Sequence, residues 1–298
     1  LFVVLRQLAS EGRSILYISH KLHEIRALCT ACTVMRAGRV TGVCDPRQET
    51  NASLSQLMIG SLPPELQVRA HQPGEAVLTV HDLHLVADDP FGVDLNGVNL
   101  QVRAGEVVGI AGVSGNGQRE LLFALSGEDR RATANSIQLQ GQAMGQLNPH
   151  QRRALGLHFV PEERLGRGAV PSLSLAQNLL LTRDEAVAST GVGGVWGWLN
   201  LHTLHTQAAS IIAKYQVKAG GPDAAASSLS GGNLQKFLVG REIEAAPKLL
   251  IVSQPTWGVD VGAAAQIRAA LLALRDAGCA VLVVSEELDE LLELSDRL

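Results

Sequence analysis

Residues 105–127 read GEVVGIAGVSGNGQRELLFALSG, and this stretch predicts an apolar strand, a glycine-rich turn and a helix. Gly112, Gly115 and Gly117 have the spacing of a phosphate-binding loop. Because these glycines lack side chains, backbone amides at the start of the helix can turn toward a phosphate group. A strand, loop and helix in this order indicate an α/β fold. The alternative is a tight turn between strand and helix that binds nothing.

The loop lacks two side chains that normally hold phosphate and metal. The pattern GxxxxGK[ST] places Lys and then Ser or Thr after the last glycine, whereas this chain has Gln118 and Arg119. The loop can still donate amides, but the ammonium group and the hydroxyl that would bind Mg²⁺ are absent. Such charged contacts are worth ~1.5–3 kcal/mol each. We predict a degenerate nucleotide site formed by Gly112, Ser114, Gly115, Asn116, Gly117, Gln118 and Arg119.

A second motif lies downstream, where residues 227–243 read SSLSGGNLQKFLVGREI. Ser230 is placed to cap a helix, and the two glycines that follow it leave the first amides of that helix exposed. Residues 248–263 then read KLLIVSQPTWGVDVGA. This run predicts a buried strand, a polar pair and a turn that contains Asp260.

The order and spacing of these motifs across residues 77–298 resemble the ATP-binding cassette family. LSGGNLQ resembles the family's signature, and it is followed by a Walker B strand, a D-loop at residues 258–260 with Asp260, and an H-loop after the last strand. GVSGNGQ, VPEER and QPTWGVD resemble, more narrowly, the second cassette of fused two-cassette importers for simple sugars and nucleosides, with a lean toward purine nucleosides. The resemblance implies an α/β fold with the P-loop NTPase core sheet of ABC ATPases and an inserted helical subdomain.

The resemblance also implies roles for individual residues, because ATP sites in this family form between two cassettes. His20, in ILYISHKL, would be a catalytic residue that contacts the γ-phosphate and the attacking water. The signature would face ATP held by the other cassette through Ser230, Gly231, Gly232 and Gln235. ATP and Mg²⁺ are the implied cofactors, with the metal ligands expected mainly in a missing part of the first cassette.

Several positions of the second cassette depart from the family pattern. Ser253 and Gln254 stand where Walker B carries the carboxylates that organise Mg²⁺ and polarise water. Glu162 replaces the Q-loop Gln and Glu286 replaces the switch His, while Phe91 is the nearby aromatic candidate for stacking on adenine. We expect this site to be hydrolytically silent, and Glu286 to favour the start of the following helix electrostatically.

The two ends of the chain repeat each other. A shift of 266 positions aligns LRQLASEGRSILYISHKLHEIRAL with LLALRDAGCAVLVVSEELDELLEL without gaps, so that Gly12 meets Gly278. Both copies predict an amphipathic helix that ends at Gly, an apolar strand (ILYIS or VLVVS) and a second helix. Since the chain starts at Leu1 rather than Met, we expect it to begin inside a longer reading frame. We predict the end of a first cassette at 1–60, a linker at 61–76, and a second cassette, truncated at its C terminus, at 77–298.

Composition and charge exclude several classes of protein. Hydrophobic residues make up 46% of the chain and charged residues 18%, which favours a large buried core. No apolar run reaches the ~18–20 residues of a membrane helix, and a net charge of −4 argues against nucleic acid as the partner. The CxxC spacing of Cys29 and Cys32 has no second ligand pair, so structural thiols are favoured and no metal site is predicted. Residues 151–153, QRR, are predicted to lie on a polar helix face.

The resemblance implies partners as well. These are two transmembrane permease subunits, an extracytoplasmic substrate-binding protein reached indirectly, and the paired tandem cassette, at the cytoplasmic face of the cell membrane. Residues 162–177 are the candidate permease contact, and a plain surface loop is the alternative. One rival function is a soluble cassette ATPase, although the charged linker or coiled-coil insertion typical of that class is not found. Another rival is a non-functional product of a truncated gene.

Overall fold

The computed structural model describes residues 1–19, 21–36, 38–60, 72–183, 188–189 and 198–298. The chain divides into two compact units, of which one is Leu1–Glu65 with Asp260–Ala265 and the other is Leu66–Val259 with Gln266–Leu298. Within the described part of the chain, every helix is too short or too polar to cross a membrane.

The described residues of the first unit form three helices and a hairpin. Strands β1 and β2 pair in antiparallel fashion. The third helix begins with a capping box, in which Thr50 and Ser53 each accept a hydrogen bond from the other's backbone amide. The elements are α1 (Phe2–Ser10), α2 (Leu22–Leu28), β1 (Cys32–Arg36), β2 (Arg39–Cys44) and α3 (Asn51–Ile59).

The second unit is built on two four-stranded sheets. The first is parallel with the order β5-β12-β11-β8, and the second is antiparallel with the order β4-β3-β6-β7, while β9 and β10 pair separately. The strands are β3 (Ala76–Leu85), β4 (Leu95–Arg103), β5 (Val107–Ala111), β6 (Ile137–Leu139), β7 (Gln142–Ala143), β8 (Leu157–Val160), β9 (Ala188–Ser189), β10 (Trp198–Leu199), β11 (Leu249–Ser253) and β12 (Ala280–Ser285).

The parallel sheet is buried on both faces, which explains its unbroken apolar strands. In β11, Leu250 and Val252 belong to one apolar cluster and Leu249 and Ile251 to another on the opposite face. All residues of β11 and β12 are buried. The runs predicted to be buried strands are therefore found at the centre of the sheet.

Helices surround this core, and three of them follow one another in the chain between β8 and β11. Within that insertion α7 packs against α6 and α8. The mixed α/β class with a helical insertion is confirmed. The helices are α4 (Gln118–Ser126), α5 (Pro149–Leu155), α6 (Leu175–Asn178), α7 (Leu201–Lys214), α8 (Gly231–Ile243), α9 (Val261–Asp276) and α10 (Leu288–Leu294).

The terminal repeat is visible in side-chain contacts. Helices α2 and α10 have equal lengths and coincide at the shift of 266. The Ser19 hydroxyl donates to Glu24 Oε2 at 2.9 Å, and the Ser285 hydroxyl donates to Glu290 Oε2 at 2.8 Å. The same serine-to-glutamate hydrogen bond therefore precedes the last helix of each copy.

One element of the repeat differs from the prediction. Residues 15–19 carry no regular secondary structure, and Leu16 and Ile18 are 90% and 89% exposed. The equivalent strand β12 is hydrogen-bonded on both sides, by β5 and β11. Within the described residues of the first unit, the only sheet is the β1–β2 hairpin. The apolar strand predicted at residues 15–19 is therefore wrong, because no strand among the described residues pairs with this segment.

The predicted polar helix face at residues 151–153 is wrong for its central residue. Arg152 is completely buried, and its guanidinium donates to the backbone oxygens of Ala124, Leu125 (2.8 Å) and Gly145 (2.9 Å). Burial lowers the pKa of Arg152 to about 10. The arginine satisfies carbonyl groups near the C-terminal end of α4, which would otherwise be unpaired inside the protein.

A buried ionic cluster connects β8 to α8. His158 Nδ1 lies 2.7 Å from Glu242 Oε2, and Arg241 Nε donates to Glu242 Oε1 at 2.6 Å. Burial raises the pKa of Glu242, but Arg241 and His158 outweigh burial and hold it at about 2. The carboxylate is therefore ionised in the core and depends on its two partners.

Candidate functional site

The phosphate loop has the predicted strand–turn–helix arrangement. It follows β5, which ends at Ala111, and leads into α4, which begins at Gln118. Gly115 and Gly117 have φ angles of +90° and +94°, in the left-handed region that favours glycine. These glycines allow the chain to turn sharply from the sheet into the helix.

Two backbone amides of this loop already donate hydrogen bonds to side chains of the protein. The Ser114 amide donates to Glu286 Oε1 at 3.0 Å, and the Asn116 amide donates to Gln118 Oε1 at 3.0 Å. Gln118 Nε2 in turn donates to the Val113 carbonyl at 3.1 Å. A Cβ atom on Gly112 would lie only 2.4 Å from Gln118 Nε2, so glycine makes room for this side chain. Glu286 therefore contacts the loop, beyond the helix-start effect expected of it.

The end of β11 carries neutral groups where the resemblance implies carboxylates. Ser253 and Gln254 are both buried. The Gln254 amide donates to the Val284 carbonyl at 2.8 Å, and Gln254 Oε1 accepts from the Glu286 amide at 3.3 Å. The backbone of Gln254 has φ +48°, an uncommon value for a residue other than glycine. Its side chain thus ties β11 to the residues after β12.

A cavity of about 310 Å³ lies between the phosphate loop and the end of β11. Its charged lining consists of Arg119, Glu162, Glu163, Arg167 and Glu286. Burial, then repulsion from Glu163 and Glu286, raises the pKa of Glu162. In the described part of the chain, no cluster of three or more His, Cys, Asp or Glu side chains could hold a metal ion. With Arg119, Ser253 and Gln254 in place of the usual ligands, these residues do not fit Mg²⁺.

Two arginines of this lining also lie over an aromatic ring. Arg119 and Arg167 lie 5.1 and 4.6 Å from the centre of the Phe123 ring. Arg167 also pairs with Glu163 at 3.0 Å and with Glu128 at 2.7 Å. Neither Glu163 nor Arg167 was predicted from the sequence, and the spacing rule for ion pairs on a helix gives no signal here, because residues 161–170 are not helical.

A larger cavity, of about 980 Å³, lies on the other side of the loop. Phe91, the predicted aromatic candidate for base stacking, belongs to its lining and is 96% exposed. Ser114, Gly115 and Arg119 line both cavities, so the two are parts of one cleft.

The signature lies outside both cavities, at the start of α8. Ser230 and Gly231 are exposed, and none of the signature residues belongs to the described lining of either cavity. Ser230 occupies the N-cap position, but its hydroxyl accepts from Asn233 Nδ2 at 2.8 Å rather than from a backbone amide. The prediction that Ser230 occupies the N-cap position is therefore correct, but the expected hydrogen bond from a backbone amide to its hydroxyl is not formed.

Gln235 does not share this exposure. Its side chain is fully buried, and its Oε1 accepts from Arg164 Nε at 2.9 Å. The Arg164 guanidinium also donates to the Trp257 carbonyl. The expectation that Gln235 faces ATP is not met here, because Gln235 instead positions Arg164 between the segment after β8 and the turn after β11.

The two remaining predicted site residues are Asp260 and His20. Asp260 lies directly before α9, and its Oδ1 accepts from the Ala263 amide at 2.9 Å, as a helix cap does. His20 lies outside the described residues, as does most of the predicted linker at 61–76.

Comparison with known sequences identifies a matching family model and several similar proteins. Residues 95–257 match the family model described as "ABC transporter". The chain is 38% identical over 299 residues to the nucleoside import ATP-binding protein NupA of Lactococcus lactis, 39% over 307 residues to the glucose import ATP-binding protein TsgD13 of Haloferax volcanii, and 37% over 300 residues to the guanosine import ATP-binding protein NupO of Bacillus subtilis. Each alignment covers 100% of this chain and 58%, 54% and 58% of the relative, so the chain spans little more than half their length.

Solved structures agree on the fold. A nucleotide-free ATP-binding cassette from an ABC transporter has a TM-score of 0.60 at 20% identity, covering 74% of this chain and 86% of its own. A dimeric bacterial ABC transporter cassette has a TM-score of 0.59 at 18% identity, covering 72% of this chain and 90% of its own. These likenesses confirm the P-loop NTPase core sheet that the sequence predicts.

Proposed function

This chain belongs to the ABC transporter family, and on that premise we propose that it is part of the ATP-binding subunit of an importer for simple sugars or nucleosides. The importer relatives named above support this proposal because they align with the whole chain. In the full-length protein, ATP binding and hydrolysis would drive transport, while the site built on residues 112–119 would bind nucleotide weakly and not hydrolyse it.

The observation that carries the silent-site proposal is the absence of carboxylates at the end of β11. Ser253 and Gln254 cannot organise a metal ion or polarise a water molecule as two carboxylates would. Gln118 also replaces the lysine that would contact the phosphates and instead bonds to its own loop. Restoring one group would leave the others missing, so the loss of hydrolysis has several independent causes.

The signature is proposed to act on a different ATP molecule. Ser230 and Gly231 are exposed at the start of α8, where hydroxyl and amide donors can meet a γ-phosphate held by an upstream cassette. His20 is proposed, from its sequence context, to contact that same phosphate. The Mg²⁺ of that site would be held by the upstream cassette, and Asp260 would belong to the contact between cassettes.

Two permease subunits are the proposed membrane partners, placing the protein at the cytoplasmic face of the membrane. Residues 162–177 are the candidate contact, and Arg164 in this segment bonds to Gln235 of the signature helix. A permease contact here would therefore be mechanically connected to the signature. A substrate-binding protein would act only through the permeases.

The experiment that tests importer function is reconstitution of the full-length protein with its permeases in liposomes. Addition of the cognate sugar or nucleoside with its binding protein is expected to raise the ATPase rate several-fold and to load the vesicles. A full-length protein that hydrolyses ATP equally fast with and without permeases and substrate would support a soluble cassette ATPase instead.

A further inference from the structure

The phosphate loop lies in the middle of a cleft whose two ends differ in chemistry. The larger cavity contains the exposed ring of Phe91, and its volume of about 980 Å³ is ample for a nucleoside. The smaller cavity, of about 310 Å³, contains carboxylates. A nucleotide whose base stacks on Phe91 would extend its phosphates across the loop toward the smaller cavity.

The smaller cavity is lined by three carboxylates and two arginines, so negative charge predominates there. Glu286 accepts the Ser114 amide, one of the donors that a phosphate oxygen would use. Glu162 and Glu163 line the same cavity together with Arg119 and Arg167, and Arg167 pairs with Glu163 at 3.0 Å. An additional phosphate group would therefore compete with one carboxylate for an amide and approach two more.

The position of Glu286 is held by the fold. Its amide donates to Gln254 Oε1 at 3.3 Å, and the neighbouring Ser285 is buried at the end of β12. The carboxylate is thus directed at the loop by Gln254, which directly follows β11, and by the end of β12. This differs from a charged side chain that reaches the loop from a distant surface.

We infer that Glu286 is a specificity-determining residue of this site, which makes the site favour nucleotides with short phosphate chains, AMP or ADP, over ATP. The inference rests on the proposed function, in which residues 112–119 bind nucleotide. Glu286 accepts an amide that a phosphate oxygen would use, and its charge repels each phosphate that enters the smaller cavity. The base and the first phosphate, at the Phe91 end, are affected less.

The test is calorimetric titration of the chain with ADP and with ATP. Glu286→Gln removes the charge but keeps an oxygen for the Ser114 amide, and Glu286→Ala removes both. Asp289→Asn is the matched control, because it neutralises an exposed carboxylate on α10 that is not part of the cavity lining.

The wild-type chain is expected to bind ADP at least as tightly as ATP. Glu286→Ala should tighten ATP binding on the order of tenfold, the worth of one charged hydrogen bond, and ADP binding much less. Glu286→Gln should lie between, and Asp289→Asn should change neither. If both nucleotides bind but Glu286→Ala leaves their affinity ratio within twofold of wild type, the inference alone is overturned. If neither nucleotide binds any variant at millimolar concentration, the nucleotide site of the proposed function fails with it.

Discussion

Arg164 joins the segment after β8 to the signature helix, and its removal has a calculable cost. Its Nε donates to the buried Gln235 Oε1 at 2.9 Å, and the guanidinium also donates to the Trp257 carbonyl. Among the described residues, Gln235 Nε2 has no hydrogen-bond partner. Arg164→Ala would therefore leave the whole Gln235 amide unpaired inside the protein.

The magnitude follows from these contacts. An unsatisfied buried polar group costs ~1–3 kcal/mol, and a hydrogen bond from a charged donor is worth ~1.5–3 kcal/mol. Burial lowers the pKa of Arg164, so removal of the guanidinium also relieves a desolvation cost. We expect Arg164→Ala to lower the free energy of unfolding by ~2 kcal/mol.

The assay is a double-mutant cycle by urea unfolding of wild type, Arg164→Ala, Gln235→Ala and the double variant. Residues in direct contact should show a coupling energy of ~1–2 kcal/mol. Arg164→Lys is the control, since it keeps the charge but loses the Nε donor, and it should recover little of the coupling. If the two single costs add within ~0.3 kcal/mol, Arg164 and Gln235 are not energetically coupled and the predicted interaction is absent.

Three further outcomes are expected. The chain alone should show no ATP turnover above background in a phosphate-release assay, and Glu286→His should not restore any, because the end of β11 still lacks carboxylates. The free energy of unfolding should fall as the pH is lowered from about 4.5 toward about 2. In this range the Glu242 carboxylate takes up a proton in the unfolded chain, whereas its lowered pKa keeps it ionised in the folded protein. Glu242→Gln should make this dependence less steep and cost ~3 kcal/mol at neutral pH. Arg152→Leu should destabilise the chain by ~2–4 kcal/mol in urea, because several buried carbonyls lose their donor, whereas Arg153→Leu should cost less than ~1 kcal/mol.

The core of the fold could be predicted because local patterns there agree with the final structure. The apolar runs at residues 249–252 and 281–284 are buried strands, and the glycines of the phosphate loop lie where the chain turns into α4. By contrast, the run at 15–19 has an equally apolar pattern and is not a strand. A strand forms only when neighbouring strands are present to hydrogen-bond with it, and the sequence of the strand itself does not show whether they are.

The candidate site could be located from the sequence, but its internal contacts could not. The positions of Gln118 and Ser253 follow from motif spacing. That Glu286 bonds to the Ser114 amide depends on two segments 172 positions apart meeting in space. Likewise, the polar side chain of Gln235 suggested an exposed position. In the structure Gln235 is buried, and Arg164 donates a hydrogen bond to its side-chain oxygen. Tertiary pairing of polar groups has no periodic signal in the sequence.

We propose that the signature serves an ATP site other than the one in its own cassette, and the ATPase rate of the full-length protein distinguishes the two sites. Ser230→Arg should lower the rate ~100-fold or more, as loss of a preorganised donor to a transition state does. Gln118→Ala in the degenerate loop, and Gln142→Arg as a charge control on exposed β7, should leave it within about twofold of wild type. A near-normal rate in Ser230→Arg, or a collapse of the rate in Gln118→Ala, would contradict the account.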